Sequence, residues 1–424
     1  MKPTLKKTIL PNGVRILTLK MPHVRSVSMG VWVNVGARDE SPAENGLSHF
    51  IEHMIFKGTE KRSAFQIAKE FDAIGGQTNA FTGMETTCYH ARVVDAHLET
   101  MVDILSDIFL NSTFDPLEVA RERLVICQEI GMVEDSPEEY VHVLAGTDFW
   151  GDSPLGRSIL GSRETIESFG AETIKAFFGR LYHPGQIVIS AAGNIDHDHL
   201  TDLLGAPFAA IPPPPAAVPL RHPSPERSGL ALHAKALEQV HLCLSTRGVS
   251  LKAEQRFALS LLNSLLGGNM SSRLFQEIRE RRGLAYSVYS HTASYEDTGM
   301  FGVYAAVEPD KALETARLIA QSLRAVKAAP VGAAELQDAK EYTKGCLLLA
   351  AESTDNQMAR IAQSELLFER CIPLETILER LEAVTAEDLL ALANRLFQTD
   401  QTALTVLGPP LEAAPEAFRD CLAL

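Results

Sequence analysis

Hydrophobic positions fall along this chain in two similar rounds. In the first, Val14 to Leu19 and Ser26 to Val35 read as strands, and residues 8–20 read as strand, turn, strand. In the second, Leu230 to Leu232 and Gln239 to Ser245 read as strands, and Met300 to Val307 alternates well enough to be another. The two rounds also close alike. Residues 171–193 predict an amphipathic helix leading into a buried strand, Ile-Val-Ile-Ser-Ala-Ala-Gly. Residues 386–408 repeat that pattern at a constant offset of 215, pairing Ala171 with Ala386, Arg180 with Arg395 and Gly193 with Gly408. Between the rounds lies Ile211 to Pro225, with an unbroken run from Pro212 to Pro215, the signature of a semi-rigid extended linker. The expected organisation is a first domain over 1–210, a linker over 211–225 and a homologous second domain over 226–424. Strands and helices occur without strict β-α-β alternation, so each half is expected to be a mostly antiparallel sheet packed with helices, in the α+β class.

Composition narrows the range of functions. With 46% hydrophobic and 22% charged residues over 424 positions, there is apolar material for two cores, and a disordered or collagenous chain is excluded. Lys and Arg total 39 against 54 Asp and Glu, a net charge of −15 that argues against nucleic acid or an anionic membrane as the main partner and is compatible with cationic substrates. No apolar run approaches the ~18 residues of a spanning helix, and no signal-peptide core follows Lys2, Lys6 and Lys7. The six cysteines (Cys88, Cys127, Cys243, Cys346, Cys371 and Cys421) are widely spaced with no Cys-x-x-Cys, so neither a thiolate zinc site nor a disulfide framework is suggested, and a reducing cytoplasm fits. Dinucleotide, phosphate-loop and Gly-x-Ser-x-Gly patterns are absent.

The chemistry concentrates in Asn45 to Phe56, a helical stretch containing His49, Glu52 and His53. Two imidazoles at i and i+4 share a helix face and can ligate one tetrahedral metal, while Glu52 projects beside them as a base for water. The order His-x-x-Glu-His is the inverted zincin motif. A catalytic zinc needs a third protein ligand. Downstream, Asp115-Pro116-Leu117-Glu118 reads as a helix start, and the helix carries Glu122 and Glu129 on one face. Glu129 precedes Ile130, Gly131 and Met132, an apolar setting in which an unpaired carboxylate is costly.

These residues resemble the pitrilysin/insulinase family of zinc peptidases, most closely its two-domain bacterial and mitochondrial processing-peptidase branch. The family's third ligand is a Glu about 76 positions after the second His, and Glu129 stands 76 positions after His53. The resemblance implies one zinc per chain on His49, His53 and Glu129, Glu52 as catalytic base and Glu122 as the carboxylate behind the ligands. It also implies that Asn79, Ala80, Phe81 and Thr82, following Gly75-Gly76, form an edge strand that pairs with extended peptide. In the second half Leu266 to Phe275 resembles the family's glycine-containing loop, and Arg279 and Tyr286 match an Arg and Tyr that reach the substrate carbonyl. Aligning the halves at an offset of 210 puts Leu259, Leu262 and Asn263 opposite His49, Glu52 and His53, so the second copy lacks zinc ligands.

One departure stands out. Members that select arginine near the cut carry two acidic positions 10 and 14 residues after the zinc Glu, here Glu139 and Val143, so a strict arginine preference is not implied. The expected activity is zinc-dependent endopeptidase action on unstructured peptides within an enclosed chamber, by a homodimeric protein of the bacterial cytoplasm. Part of the negative charge, Glu134, Asp135, Glu138 and Glu139 first, is expected to favour basic peptides. The alternative is a non-catalytic partner or scaffold subunit, a role for which family members usually lose part of the zinc set or the Arg/Tyr pair.

Overall fold

The computed structural model describes residues 4–213, 221–411 and 413–424. Most of the proline-rich segment expected as a linker, 214–220, lies outside the described residues. Eleven strands are described: β1 (Thr4–Ile9), β2 (Arg15–Lys20), β3 (Ser26–Val33), β4 (Gln77–Thr82), β5 (Thr87–Val94), β6 (Ile187–Gly193), β7 (Gly229–Ala234), β8 (Val240–Arg247), β9 (Ala285–Ser294), β10 (Gly299–Val307) and β11 (Thr402–Gly408). The α-helices are α1 (Leu47–Ile55), α2 (Ala64–Ala73), α3 (Leu98–Asn111), α4 (Pro116–Asp135), α5 (Pro137–Trp150), α6 (Arg163–Ser168), α7 (Ala171–Leu181), α8 (His197–Ala209), α9 (Arg256–Leu266), α10 (Ala312–Ala328), α11 (Ala333–Ala350), α12 (Thr354–Phe368), α13 (Leu374–Ala383), α14 (Ala386–Leu396) and α15 (Pro415–Arg419). The strands expected in both rounds are all present, and the repeated ends correspond residue for residue: α7 to α14 and β6 to β11 at the offset of 215.

Two sheets form. The first has the order β1-β2-β6-β3-β5-β4 and the second β7-β11-β8-β10-β9. Without β1, the two orders superpose strand for strand. In each, one pair is parallel (β2 with β6, β7 with β11) and the remaining neighbours are antiparallel. The class is therefore α+β with two mixed sheets, each packed with helices. Central strands β6 and β11 are buried along their whole length, which explains their unbroken apolar sequence. Gly193 ends β6 at φ +136, where a Cβ would stand 2.1 Å from the carbonyl oxygen of Ser26, so only glycine lets the neighbouring strand pass.

The compact units interleave along the sequence. The first comprises residues up to Gly131, Ser158–Arg221 and Leu348–Ile372; the second comprises Met132–Arg157, His222–Leu347 and the residues from Pro373 on. Thus α12, from the second round of the sequence, covers a face of the first sheet against β2, β3 and β6. Met358, Ile361 and Ala362 of α12 pack there on Leu17, Leu19, Trp32, Cys88 and Val188. In the same way α5, from the first round, lies on β8 and β11 of the second sheet. The opposite faces hold the main cores, with Val31, Phe50, Met54, Phe109 and Phe177 in the first unit and Leu242, Leu262, Phe301, Leu323 and Phe397 in the second.

Candidate metal centre

Helix α1 starts from a turn that its sequence prescribes. Gly46 has φ +102, a left-handed conformation, and a Cβ there would meet Ile166 and the carbonyl oxygen of Leu160 within 3 Å. The N–H groups of Gly46 and Ser48 donate to the buried carboxylate of Glu40 at 2.8 and 2.7 Å, so donors that a helix start leaves unmatched are satisfied. Leu47, Phe50, Ile51, Met54 and Ile55 anchor the helix in the core. His49 is buried as well, at 6% exposure, and Glu52 and His53 are half-buried. These are not solvated surface histidines.

Helix α4 supplies the facing carboxylates. Its start is the one expected: Asp115 accepts the N–H of Leu117 and of Glu118 at 2.8 and 3.3 Å, with Pro116 in the first helical position. Glu122 is buried and Glu129 half-buried, seven residues on. One Glu129 oxygen stands 3.6 Å from His49 Nε2 and 3.5 Å from His53 Nε2, and the ligand atoms of all three residues lie within 4.8 Å of one another. The His53 Nδ1–H donates to Glu122 at 3.0 Å, and the Lys57 ammonium donates to the other Glu122 oxygen at 2.6 Å. This fixes the His53 tautomer so that its Nε2 lone pair faces Glu129. Two imidazole nitrogens and a carboxylate, oriented from behind by a second carboxylate, suit a divalent cation of the zinc type with a position left open.

Glu52 lies beside this set, and its carboxylate accepts the hydroxyl of Thr82 at 2.6 Å. Burial raises its affinity for protons, an effect that Thr82 and His53 partly offset and Glu129 reinforces. Burial, with the neighbouring His53, pushes His49 down to about 4, keeping it neutral and its lone pair free. For His53, burial pulls the other way but is outweighed by the flanking carboxylates of Glu129 and Glu122, and its proton affinity rises. The Glu129 carboxyl is held below its ordinary range by the neighbouring His53 and, against the cost of burial, by His49.

Thr82 belongs to β4, which is the last strand of its sheet and, among the described residues, pairs only with β5. Asn79, Ala80 and Phe81 share that strand, and Asn79 and Phe81 are exposed. The first unit thus brings together His49, Glu52, His53, Glu122, Glu129 and the edge strand. Arg279, Tyr286 and Glu139 lie in the second unit. Arg279 sits on a π-helical turn (Phe275–Arg281), stacks 4.4 Å over the Tyr286 ring and donates to the Tyr286 carbonyl at 2.9 Å. Tyr286 is 80% exposed. Glu139 is exposed on α5 with Val143 one turn along. Leu259 and Leu262 are buried in α9, where the first unit has its histidine helix.

Sequence reasoning passed over Glu40 and Lys57. Lys57 carried a signal, standing four residues after His53 in the turn that follows the end of α1 at Ile55.

The insulinase model of peptidase family M16 matches residues 15–163, and the M16 inactive-domain model matches residues 168–342. An uncharacterized zinc protease of Bacillus subtilis is 42% identical across 96% of this chain and 98% of its own length. One from Streptomyces coelicolor is 39% identical across 99% of this chain and 93% of its own. This chain belongs to the insulinase family, peptidase family M16. In fold it is also similar to a protease from Helicobacter pylori (TM-score 0.90, 22% identity, 96% of this chain and 100% of that one). A chain of complex III from Candida albicans shares the fold as well (TM-score 0.86, 18% identity, 99% of this chain and 100% of that one).

Proposed function

We propose that this chain is a zinc-dependent endopeptidase acting on unstructured peptides. His49, His53 and Glu129 hold the metal, and Glu122 with Lys57 behind it keeps His53 in its ligating tautomer. Zinc held there would supply Lewis acidity, polarising a peptide carbonyl and lowering the pKa of water. Glu52, half-buried beside the ligands, takes a proton from an attacking water on its carboxylate and hands it to the leaving amine. Thr82 aims the carboxylate. Strand β4 offers unpaired backbone groups to an extended segment, which selects flexible chains over folded ones. Arg279 and Tyr286 provide a cation and a phenol for the substrate carbonyl oxygen as it gains negative charge, and Glu139 offers a carboxylate to basic side chains. The working form is a homodimer enclosing its substrate, in the bacterial cytoplasm.

The observation that carries this reading is the convergence of two imidazoles and a carboxylate beside a half-buried glutamate, in a chain about 40% identical to named zinc proteases. The test is Glu52→Gln assayed on unstructured peptides with the purified chain alone. Hydrolysis is expected to fall by ~10²–10⁴-fold while bound zinc is unchanged. Undiminished turnover would overturn the assignment, and a wild-type chain that stays inert until a second protein is added would point to the partner-subunit role instead.

A further inference from the structure

A second group of metal-ligating side chains lies wholly within the second unit. Strand register puts Cys243, Tyr304 and Tyr289 in one row across the sheet and Ser245, Gly302 and His291 in the next row on the same face. Helix α5 crosses that face and brings His142 to it. Ligand atoms of His142, Cys243 and His291 lie within 4.8 Å of one another, with Cys243 fully buried and both histidines half-buried.

We propose that His142, Cys243 and His291 form a second metal site, one that takes a thiolate-preferring d-block cation, zinc first. Three observations support it. The first is orientation from behind. Tyr289 donates its only hydroxyl proton to Glu138 at 2.8 Å, so the 2.8 Å contact between His142 Nε2 and that hydroxyl requires Nε2–H to donate. The Nδ1 lone pair is then left facing Cys243 Sγ, 3.9 Å away. A carboxylate–tyrosine chain thus does for His142 what an outer carboxylate does for a metal-bound histidine. The second is room made in the backbone. At Gly302 a Cβ would stand 2.3 Å from His291 Cε1 and 2.4 Å from its Nε2, so the imidazole occupies a place that any other residue would fill. His291 Nδ1 is buried with no hydrogen-bond partner. The third is comparison within the molecule. The first sheet's corresponding helix-covered face also carries a thiol, Cys88, and an imidazole, His90, opposite Gly30. It packs Cys88 among Leu17, Leu19, Trp32, Val188, Met358 and Ile361, and among the described residues no three ligand atoms converge there as they do here.

One thiolate and two imidazoles form a borderline-soft set suited to zinc. Burial pushes the Cys243 thiol up to about 12, so a binding cation must displace its proton to water as the sulfur–metal bond forms.

The test is titration of the metal-stripped full chain with Co²⁺, read in the near ultraviolet for thiolate-to-cobalt charge transfer. His49, His53 and Glu129 contain no sulfur and cannot produce that band, so its presence or absence is independent of the peptidase reading. The expected result is a band that saturates within two equivalents of Co²⁺, one for each ligand set, retained in Glu52→Gln, abolished by Zn²⁺ competition and absent in Cys243→Ser. In His142→Gln, a change at a half-exposed position that keeps the protein testable if Cys243→Ser misfolds, the midpoint should move about tenfold or more. A wild-type chain with no thiolate band would overturn the proposal, as would a band unaltered in His142→Gln.

Discussion

The carboxyl of Glu40 closes the start of α1, and its burial pushes it from an ordinary 4.5 to about 7. Between those values the folded chain holds a proton that the unfolded chain has released, so stability falls as pH rises across that interval. The contribution is complete below 4.5 and lost above about 7, at most about 3 kcal/mol. Glu40→Gln is therefore expected to flatten the decline of urea midpoints over this interval relative to the wild type. Parallel profiles would contradict it. Glu122 is the residue whose loss should be felt by the metal rather than by the fold. It accepts both His53 Nδ1–H and Lys57, and Glu122→Gln is expected to weaken zinc binding ~10–100-fold in competition with a chelator, with little change in secondary structure.

At the scale of elements, the proposed substrate contacts rest on β4 and α1. If an extended peptide adds to the free edge of β4, each backbone hydrogen bond contributes about 1 kcal/mol. Methylating single amide nitrogens of a peptide substrate should then raise KM roughly fivefold at alternate positions and leave the intervening ones unaffected, the period of a strand. A uniform response along the peptide would count against edge pairing. Legibility from sequence divides at the same scale. His49, Glu52 and His53 are readable because one helical turn holds them, and the helix start at Asp115 is readable because its cap is local. Glu129 is legible only through the family's spacing, since α2, α3 and two strands intervene before α4 returns to α1. Glu40 is opaque because its role depends on the left-handed turn at Gly46. The exchange of α5 and α12 is opaque for another reason. An amphipathic pattern says which face of a helix is buried but not which sheet buries it. The cluster of His142, Cys243 and His291 follows from that exchange, and its three members are too far apart in sequence to suggest a ligand spacing.

For the whole molecule, the interleaved units mean that neither half of the sequence is self-sufficient. A chain ending near 211 lacks α12 and leaves Trp32, Leu17 and Val188 open to water, and one beginning near 226 lacks α5 and uncovers Tyr304 and Leu407. Expressed separately, 1–211 and 226–424 are expected to aggregate or to bind hydrophobic dyes, and expressed together to recover a soluble complex. Two independently soluble, cooperatively unfolding halves would refute this. The same connectivity sets a timetable for synthesis. Arg221 ends the second segment of the first unit, but the unit is complete only when Ile372 has been made, about 150 residues and, at ~5–20 residues per second, roughly 8–30 s later. Throughout that interval an apolar sheet face emerging from the ribosome has no covering helix, so this protein's dependence on co-translational holding factors should be decided by the last quarter of its message rather than by its length.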